Sequence, residues 1–286
     1  MTGGLLVIDQ LTKTYGEEGD SRVHAIYEIT FAVPKSEFVC IVGPSGCGKT
    51  TLLKCISGLL PPTGGEVRLR DRRVDKPPEE LALVFQEYNR SLMPWLTVRG
   101  NITLPLAHKK LDKRAKTSLV EEAVEAVGLS PFIDRYPWEL SGGMQQRVAI
   151  ARAIAYQPEI LLMDEPFASV DAQTRDDLED LILKVRNQYD MTIMFVTHDV
   201  DESVYLADRI VVLTSAPTTV KEILTVDLPK PRDQLETKEH PQFAHLRRHV
   251  YELIKRSGDE SAMRGPEGAG GQAWQEEAPL RTGMRE

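Results

Sequence analysis

Residues 41–51 read I-V-G-P-S-G-C-G-K-T-T, and the spacing Gly43-x-x-x-x-Gly48-Lys49-Thr50 decides what the surrounding chain must be. The apolar run Phe38-Val39-Cys40-Ile41-Val42 precedes it and Leu52-Leu53-Lys54-Cys55-Ile56 follows, so the context is strand, glycine-rich turn, helix. Glycines let successive backbone N–H groups turn inward around an anion, and the helix N-terminus adds partial positive charge. Lys49 reaches the terminal phosphates, and the Thr50 hydroxyl can hold Mg²⁺. A nucleoside triphosphate is the expected ligand.

A chain of 286 residues can bury a substantial core, and one α/β domain with a subdomain and a tail is the preferred division. The net charge of −8 argues against nucleic acid as the main partner, because a backbone binder needs a basic face. The three cysteines, Cys40, Cys47 and Cys55, all fall in the nucleotide-binding stretch; an odd count is unlike a disulfide framework and points to a reducing compartment. Cys47, beside Lys49 and a helix N-terminus, is expected to favour the thiolate. Residues 1–10 show no basic segment followed by an apolar one, and no apolar run approaches the length needed to cross a bilayer. A cytoplasmic chain whose membrane association comes through a partner is expected.

Upstream of the loop, residues 5–11 and 23–33 read as strands, with Tyr15 in a polar turn between them, free to stack on a purine base or simply to pack. Downstream, residues 61–65 form a turn and residues 66–69 resume a strand. A further strand, residues 81–85, ends at Gln86, whose amide is in position to meet a metal or a water, or is merely exposed. Leu92, Met93, Pro94, Trp95, Leu96 and Val98 then crowd an irregular segment between Arg90 and Arg99, which either caps a core or forms a docking patch. Residues 112–128 are helical, with Val120, Ala123, Val124 and Val127 on one face and Gly128 as the stop, so this region is a helical insert.

Residues 140–147, L-S-G-G-M-Q-Q-R, open another helix; Ser141 with two glycines is either a plain N-cap or a second anion-ready helix end. The apolar strand Ile160-Leu161-Leu162-Met163 ends in Asp164 and Glu165. An aspartate there is the usual holder of Mg²⁺ beside a phosphate-binding loop, and the next glutamate can orient or deprotonate an attacking water. Asp171 precedes a helix with Leu178, Leu181, Ile182 and Val185 on one face, and a buried strand at residues 192–197 delivers His198 to its C-terminal end. A strand at 210–213, a weaker pair around 220–226 and an amphipathic helix with Phe243, Leu246, Val250, Leu253 and Ile254 follow. Beyond Gly258 too few apolar residues remain to pack, and disorder is expected.

These motifs, in this order, resemble the ATP-binding subunit of ABC transporters over residues 5–257. Residues 43–50 look like Walker A, Gln86 like the Q-loop, and residues 140–146 like the LSGGQ-type signature, with Met144 in the glutamine position. Residues 160–164 look like Walker B, Ser169-Val170-Asp171 like the D-loop, and His198 like the switch histidine. The resemblance implies a P-loop NTPase core with a mainly parallel sheet, an N-terminal antiparallel β subdomain, an α-helical subdomain at about 88–157, and a tail at 258–286. It implies ATP and Mg²⁺, with Glu165, His198 and Gln86 in catalysis and Thr50, Gln86 and Asp164 at the metal. Tyr15, Gly43, Pro44, Ser45, Gly46, Cys47, Gly48, Lys49, Thr50 and Thr51 would bind ATP, Tyr15 by stacking on adenine. Across a head-to-tail homodimer, Ser141, Gly142, Gly143 and Asp171 would complete the site. Further implied partners are permease subunits, docked through the segment after Gln86 at the cytoplasmic face of the cell membrane, and indirectly an extracytoplasmic solute-binding protein; nucleic acid is not among them.

Pro94-Trp95-Leu96-Thr97-Val98, Asp199-Val200-Asp201-Glu202-Ser203 and the stretch D-L-P-K-P-R-D at 227–233 resemble importers of nitrate, sulfonate and taurine, implying a small anion as cargo. Between Gln86 and Pro94 the chain looks about two residues longer than that pattern. The alternative is a soluble ABC-type ATPase with no transport role; those usually carry a long coiled-coil insert or two fused cassettes, and here there is one cassette with a short insert.

Overall fold

The structure, a computed structural model, describes residues 4–16, 22–86 and 91–263. Arg90, most of the segment between Gln86 and Pro94, and the expected tail from residue 264 lie outside the described residues. Ten described strands join in one sheet: β1 (Leu6–Tyr15), β2 (Val23–Val33), β3 (Phe38–Val42), β4 (Gly64–Leu69), β5 (Arg72–Arg73), β6 (Leu81–Val84), β7 (Ile160–Asp164), β8 (Thr192–Val196), β9 (Arg209–Leu213) and β10 (Thr218–Thr225). Their order is β5-β4-β1-β2-β10-β9-β3-β8-β7-β6.

The centre of the sheet is parallel: β3 pairs with β8 and β9, and β7 with β6 and β8. β3, β7 and β8 are buried along their whole length. Phe38, Cys40 and Val42 enter one core with Met163 and Phe195, while Val39 and Ile41 enter the other with Leu52, Leu53 and Leu162. A strand covered on both faces reads as an unbroken apolar run, which is why this part of the sequence shows no alternation. The other wing, β1 with β2 and β4, and β4 with β5, is antiparallel. β10 joins the halves, antiparallel to β9 and parallel to β2 through Thr218 and Thr219. β1 corrects one expectation. Tyr15 is its last residue rather than part of a turn, because pairing with β2 continues through Tyr15 and Val23 after register shifts near Leu11 and Lys13.

The helices that lie wholly within the described residues are α1 (Lys49–Ile56), α2 (Val98–Thr103), α3 (Lys113–Ala126), α4 (Gly142–Ala155), α5 (Ala172–Tyr189), α6 (Val200–Leu206), α7 (Glu236–Glu239) and α8 (Pro241–Met263). Between α2 and α3 lies a 3₁₀ turn, Leu104–His108. α3 begins where its cap is supplied: the Asp112 carboxylate accepts the Ala115 N–H. The irregular loop before α2 is tied by a fully buried Asn101, whose amide donates to the carbonyls of Met93, Leu96 and Thr97 while its oxygen accepts the Met93 N–H at 2.7 Å. Val98 and Leu92 are buried there, but Trp95 is 70% exposed. α8 also runs past the expected boundary at Ser257 to Met263. Ser257 is buried, accepts from Ser215 and Lys221, and so anchors the helix. Gly258 would offer a Cβ only open space, and a glycine inside a helix costs only about 1 kcal/mol relative to alanine, too little to end it. Among the described residues, no helix is long and apolar enough to cross a membrane.

Candidate active site

The loop between β3 and α1 takes its shape where glycine is needed: Gly46 and Gly48 have φ of 73° and 98°, in the left-handed region. At Gly43 the demand is space, since a Cβ would lie 3.0 Å from both Cys47 Sγ and Leu213 Cβ. Lys49, 6% exposed, donates from Nζ to the carbonyls of Gly43 (3.1 Å) and Pro44 (3.2 Å). The Thr218 hydroxyl donates to the Cys47 carbonyl, so β10 also holds the loop. That packing overturns the thiolate expectation: Cys47 is 1% exposed, and burial pushes its thiol above the ordinary value more strongly than Lys49 lowers it.

Two strand ends bring the remaining groups. Asp164 closes β7; burial pushes its carboxyl up, and a hydrogen bond from the Thr50 side chain opposes the shift. Its Oδ1 is buried with no partner among the described residues. An unpaired buried carboxylate oxygen beside a hydroxyl fits a divalent cation. Glu165 follows with φ of 42°, a strained value for a side-chain-bearing residue, and its N–H donates to the Val196 carbonyl at 2.9 Å. This turn aims its carboxylate so that Oε1 is 3.9 Å from Lys49 Nζ, while Oε2 is 2.9 Å from His198 Nδ1 and accepts from Gln86 Nε2 at 3.5 Å. Ser45, Gly46, Gly48, Lys49, Thr50, Thr51, Glu165 and His198 line one cleft of about 490 Å³. Tyr15 reaches its rim, with its hydroxyl 3.2 Å from Thr51 Oγ1 and its ring partly exposed.

The family described as ABC transporter matches residues 26–168. An uncharacterized ABC transporter ATP-binding protein of Methanocaldococcus jannaschii is 46% identical over 250 residues, 87% of this chain and 91% of that protein. The chain belongs to the ABC transporter ATP-binding family. Two cyanobacterial members are also similar: a bicarbonate transport ATP-binding protein of Synechocystis (43% identical over 86% of this chain) and a nitrate import ATP-binding protein of Synechococcus elongatus (40% over 87%). This chain spans only 37% and 38% of their respective lengths. A solved dimeric ATP-binding cassette in a post-hydrolysis state, bound to ADP and Pi, shares 31% identity and a TM-score of 0.67, covering 77% of this chain and 98% of that one. The chain is an ABC-type ATPase.

Not every expected site residue of this ABC ATPase lines the cleft. Ser141 caps α4, its hydroxyl accepting the Met144 N–H at 3.3 Å, and Gly142 is exposed. Gly143 is held by packing instead: a Cβ there would come within 2.4 Å of Thr174 Cγ2. Asp171 caps α5, accepting from the Thr174 N–H (3.0 Å) and hydroxyl (2.7 Å). The signature and the Asp171 turn therefore meet each other through Thr174, away from the cleft lining. Sequence reasoning missed Thr218, Arg175 and the role of Glu202. For Glu202 a signal existed, because Asp199-x-x-Glu202 is the spacing of a helix N-terminal capping box. Nothing local marks the other two.

Proposed function

We propose that this ATPase is the energy-coupling subunit of an importer for a small anion such as nitrate, bicarbonate, a sulfonate or taurine. The hydrolytic part of the reading is carried by the Glu165 carboxylate, aimed by a strained backbone into the cleft, 2.9 Å from His198 and 3.9 Å from Lys49, and the import part rests on the names of the bicarbonate and nitrate relatives. Glu165 takes the proton of a water whose oxygen attacks the γ-phosphorus. The bridging P–O bond breaks, and ADP leaves with the electron pair. Lys49 and the backbone N–H groups of the loop from Gly43 to Thr51, Pro44 excepted, hold the phosphates, Tyr15 stacks on adenine, His198 and Gln86 orient the reacting groups, and Thr50, Asp164 and Gln86 would hold Mg²⁺. When bound, Mg²⁺ neutralises charge on the phosphate oxygens.

Ser141 and Gly142, exposed at a helix N-terminus outside the cleft, are suited to face the ATP of a second copy; the kinship with a dimeric cassette supports that arrangement. Trp95 projects from the segment after Gln86 and is the surface for a permease at the cytoplasmic face of the membrane. A separate solute-binding protein would supply the cargo, and the names of the cyanobacterial relatives support an anion. The test is purification of the tagged full chain from detergent-extracted membranes, followed by uptake of labelled nitrate, bicarbonate and taurine into proteoliposomes of the resulting complex. ATP-dependent uptake of one of them is expected. An active ATPase recovered with no multispanning subunit would favour the soluble, non-transport role.

A further inference from the structure

His198 stands just beyond β8 with its side chain 57% exposed, so burial does not fix the ring that meets Glu165. What fixes it lies in the residues on either side. Thr197 is 2% exposed; its Oγ1 accepts the Asp199 N–H at 2.9 Å, closing a small loop around His198, and its hydroxyl donates to Glu202. Asp199 Oδ1 accepts the N–H groups of Asp201 (2.8 Å) and Glu202 (3.2 Å), which starts α6 and sets the direction in which the chain leaves the site. Both carboxylates are held from outside the segment by one cation. Arg175 on α5 places Nη1 3.1 Å from Asp199 Oδ2 and Nε 3.7 Å from Glu202 Oε1. α5 is a firm anchor, with Leu178, Ile182 and Val185 fully buried. Without Arg175 the segment would lose its tie to α5, and Glu202, whose carboxyl burial already pushes up, would lose the cation that offsets Asp199.

We propose that Arg175 and Glu202 are positioning residues that hold His198 against Glu165. The inference rests on the reading of His198 as a group that acts in hydrolysis. The Arg175 side chain meets Asp199 and Glu202 and is not in the cleft lining, so truncating it acts on turnover through the segment that carries the histidine.

The test is a double-mutant cycle on the full chain: His198→Ala, Arg175→Ala and the pair, each with kcat, KM for ATP and thermal stability measured. Arg175→Ala should lower kcat about 10- to 100-fold, the scale of a small misplacement of a reacting group, with KM changed less than about twofold. In the His198→Ala background the same change should produce no further loss in kcat. Glu202→Gln keeps the size and a hydrogen-bonding oxygen while removing the ionisable carboxyl, which burial pushes up to about 7, so measured at pH 8 it gives the cycle a second arm if Arg175→Ala folds poorly. Arg175→Lys, retaining the cation, should recover part of the lost rate. If Arg175→Ala or Glu202→Gln multiplies the loss of His198→Ala, the clamp acts on the fold alone and the proposal fails while the role of His198 stands. A His198→Ala protein with undiminished kcat would remove that role and the proposal with it.

Discussion

The nucleotide cleft and the signature face are both helix N-termini approached through glycines, yet they are finished differently. α1 begins at Gly48, which has no side chain to accept from the first-turn N–H groups, so those donors are left for an outside anion. α4 begins at Ser141, whose own hydroxyl accepts from its third helical residue, and Gly143 is pressed against Thr174. The first is a receptor assembled within one chain: two buried strands bring Asp164 and Glu165 and the approach to His198, and a third strand leads into the phosphate loop. The second is a capped helix that is stable by itself and has only its exposed end to offer another molecule.

That contrast can be broken most forcefully at Glu165. Glu165→Gln should lower turnover by about 10² to 10⁴, the usual worth of a general base, while nucleotide affinity stays near that of the parent. Held ATP should then drive dimerisation by linkage, and adding Ser141→Arg should abolish the dimer while each monomer still binds ATP. Light scattering with and without nucleotide reads both outcomes, and an ATP-loaded Glu165→Gln protein that remains monomeric at high concentration would mean the signature face completes no second site.

Gly143→Ala tests whether the signature glycine answers to packing. A methyl group 2.4 Å from the Thr174 methyl must displace α5 or α4, an overpacking expected to cost about 1–3 kcal/mol. Denaturant midpoints should fall while nucleotide affinity of the isolated chain holds. An unchanged midpoint would show the two helix ends free to separate.

α5, which serves both regions, carries Glu179, 2% exposed and pushed up to about 8 by burial against the hydrogen bond from Gln234 and the charge of Lys238, with Glu202 and Asp176 adding to the rise. A carboxyl raised in the folded state contributes stability below its ordinary 4.5 that is lost as pH climbs through about 8. Glu179→Gln should therefore match the parent near pH 5 and melt higher near pH 8.5. Equal melting at both pH values would place Glu179 in a wetter site. A smaller effect is expected in alkylation of the free chain: Cys47, buried and protonated, should react slowly, and rapid labelling quenched by Mg-ATP would show the loop opening. Least of all, Trp95→Ala should shift stability by no more than about 0.5 kcal/mol because the ring is exposed, its effect appearing only with a permease present.

The cleft was legible because its parts are short and local: a strand, a glycine loop and a helix are contiguous, and Asp164, Glu165 and His198 each end an apolar run that the eye can follow. Tyr15 was misplaced because the length of β1 is set by a partner strand rather than by its own polar residues. Cys47 was misjudged for a related reason: nearby Lys49 is visible in sequence, whereas the wall formed by Leu213 and Thr218 comes from far along the chain. Arg175 faces residues more than twenty positions away, beyond the reach of any periodicity. α8 runs past Gly258, beyond which the sequence holds too few apolar residues to announce a packed element, and its last turns follow from Ser257, tied to Ser215 and Lys221.

The hydrogen bond from Thr218 to the Cys47 carbonyl spans 171 positions. During vectorial synthesis the phosphate loop therefore leaves the ribosome long before the strand that braces it. At about 5–20 residues per second the interval is roughly 10 to 30 s. A nascent chain stopped before residue 218 carries every residue of the loop motif but lacks the brace, so firm capture of nucleotide should mark the end of translation rather than its beginning.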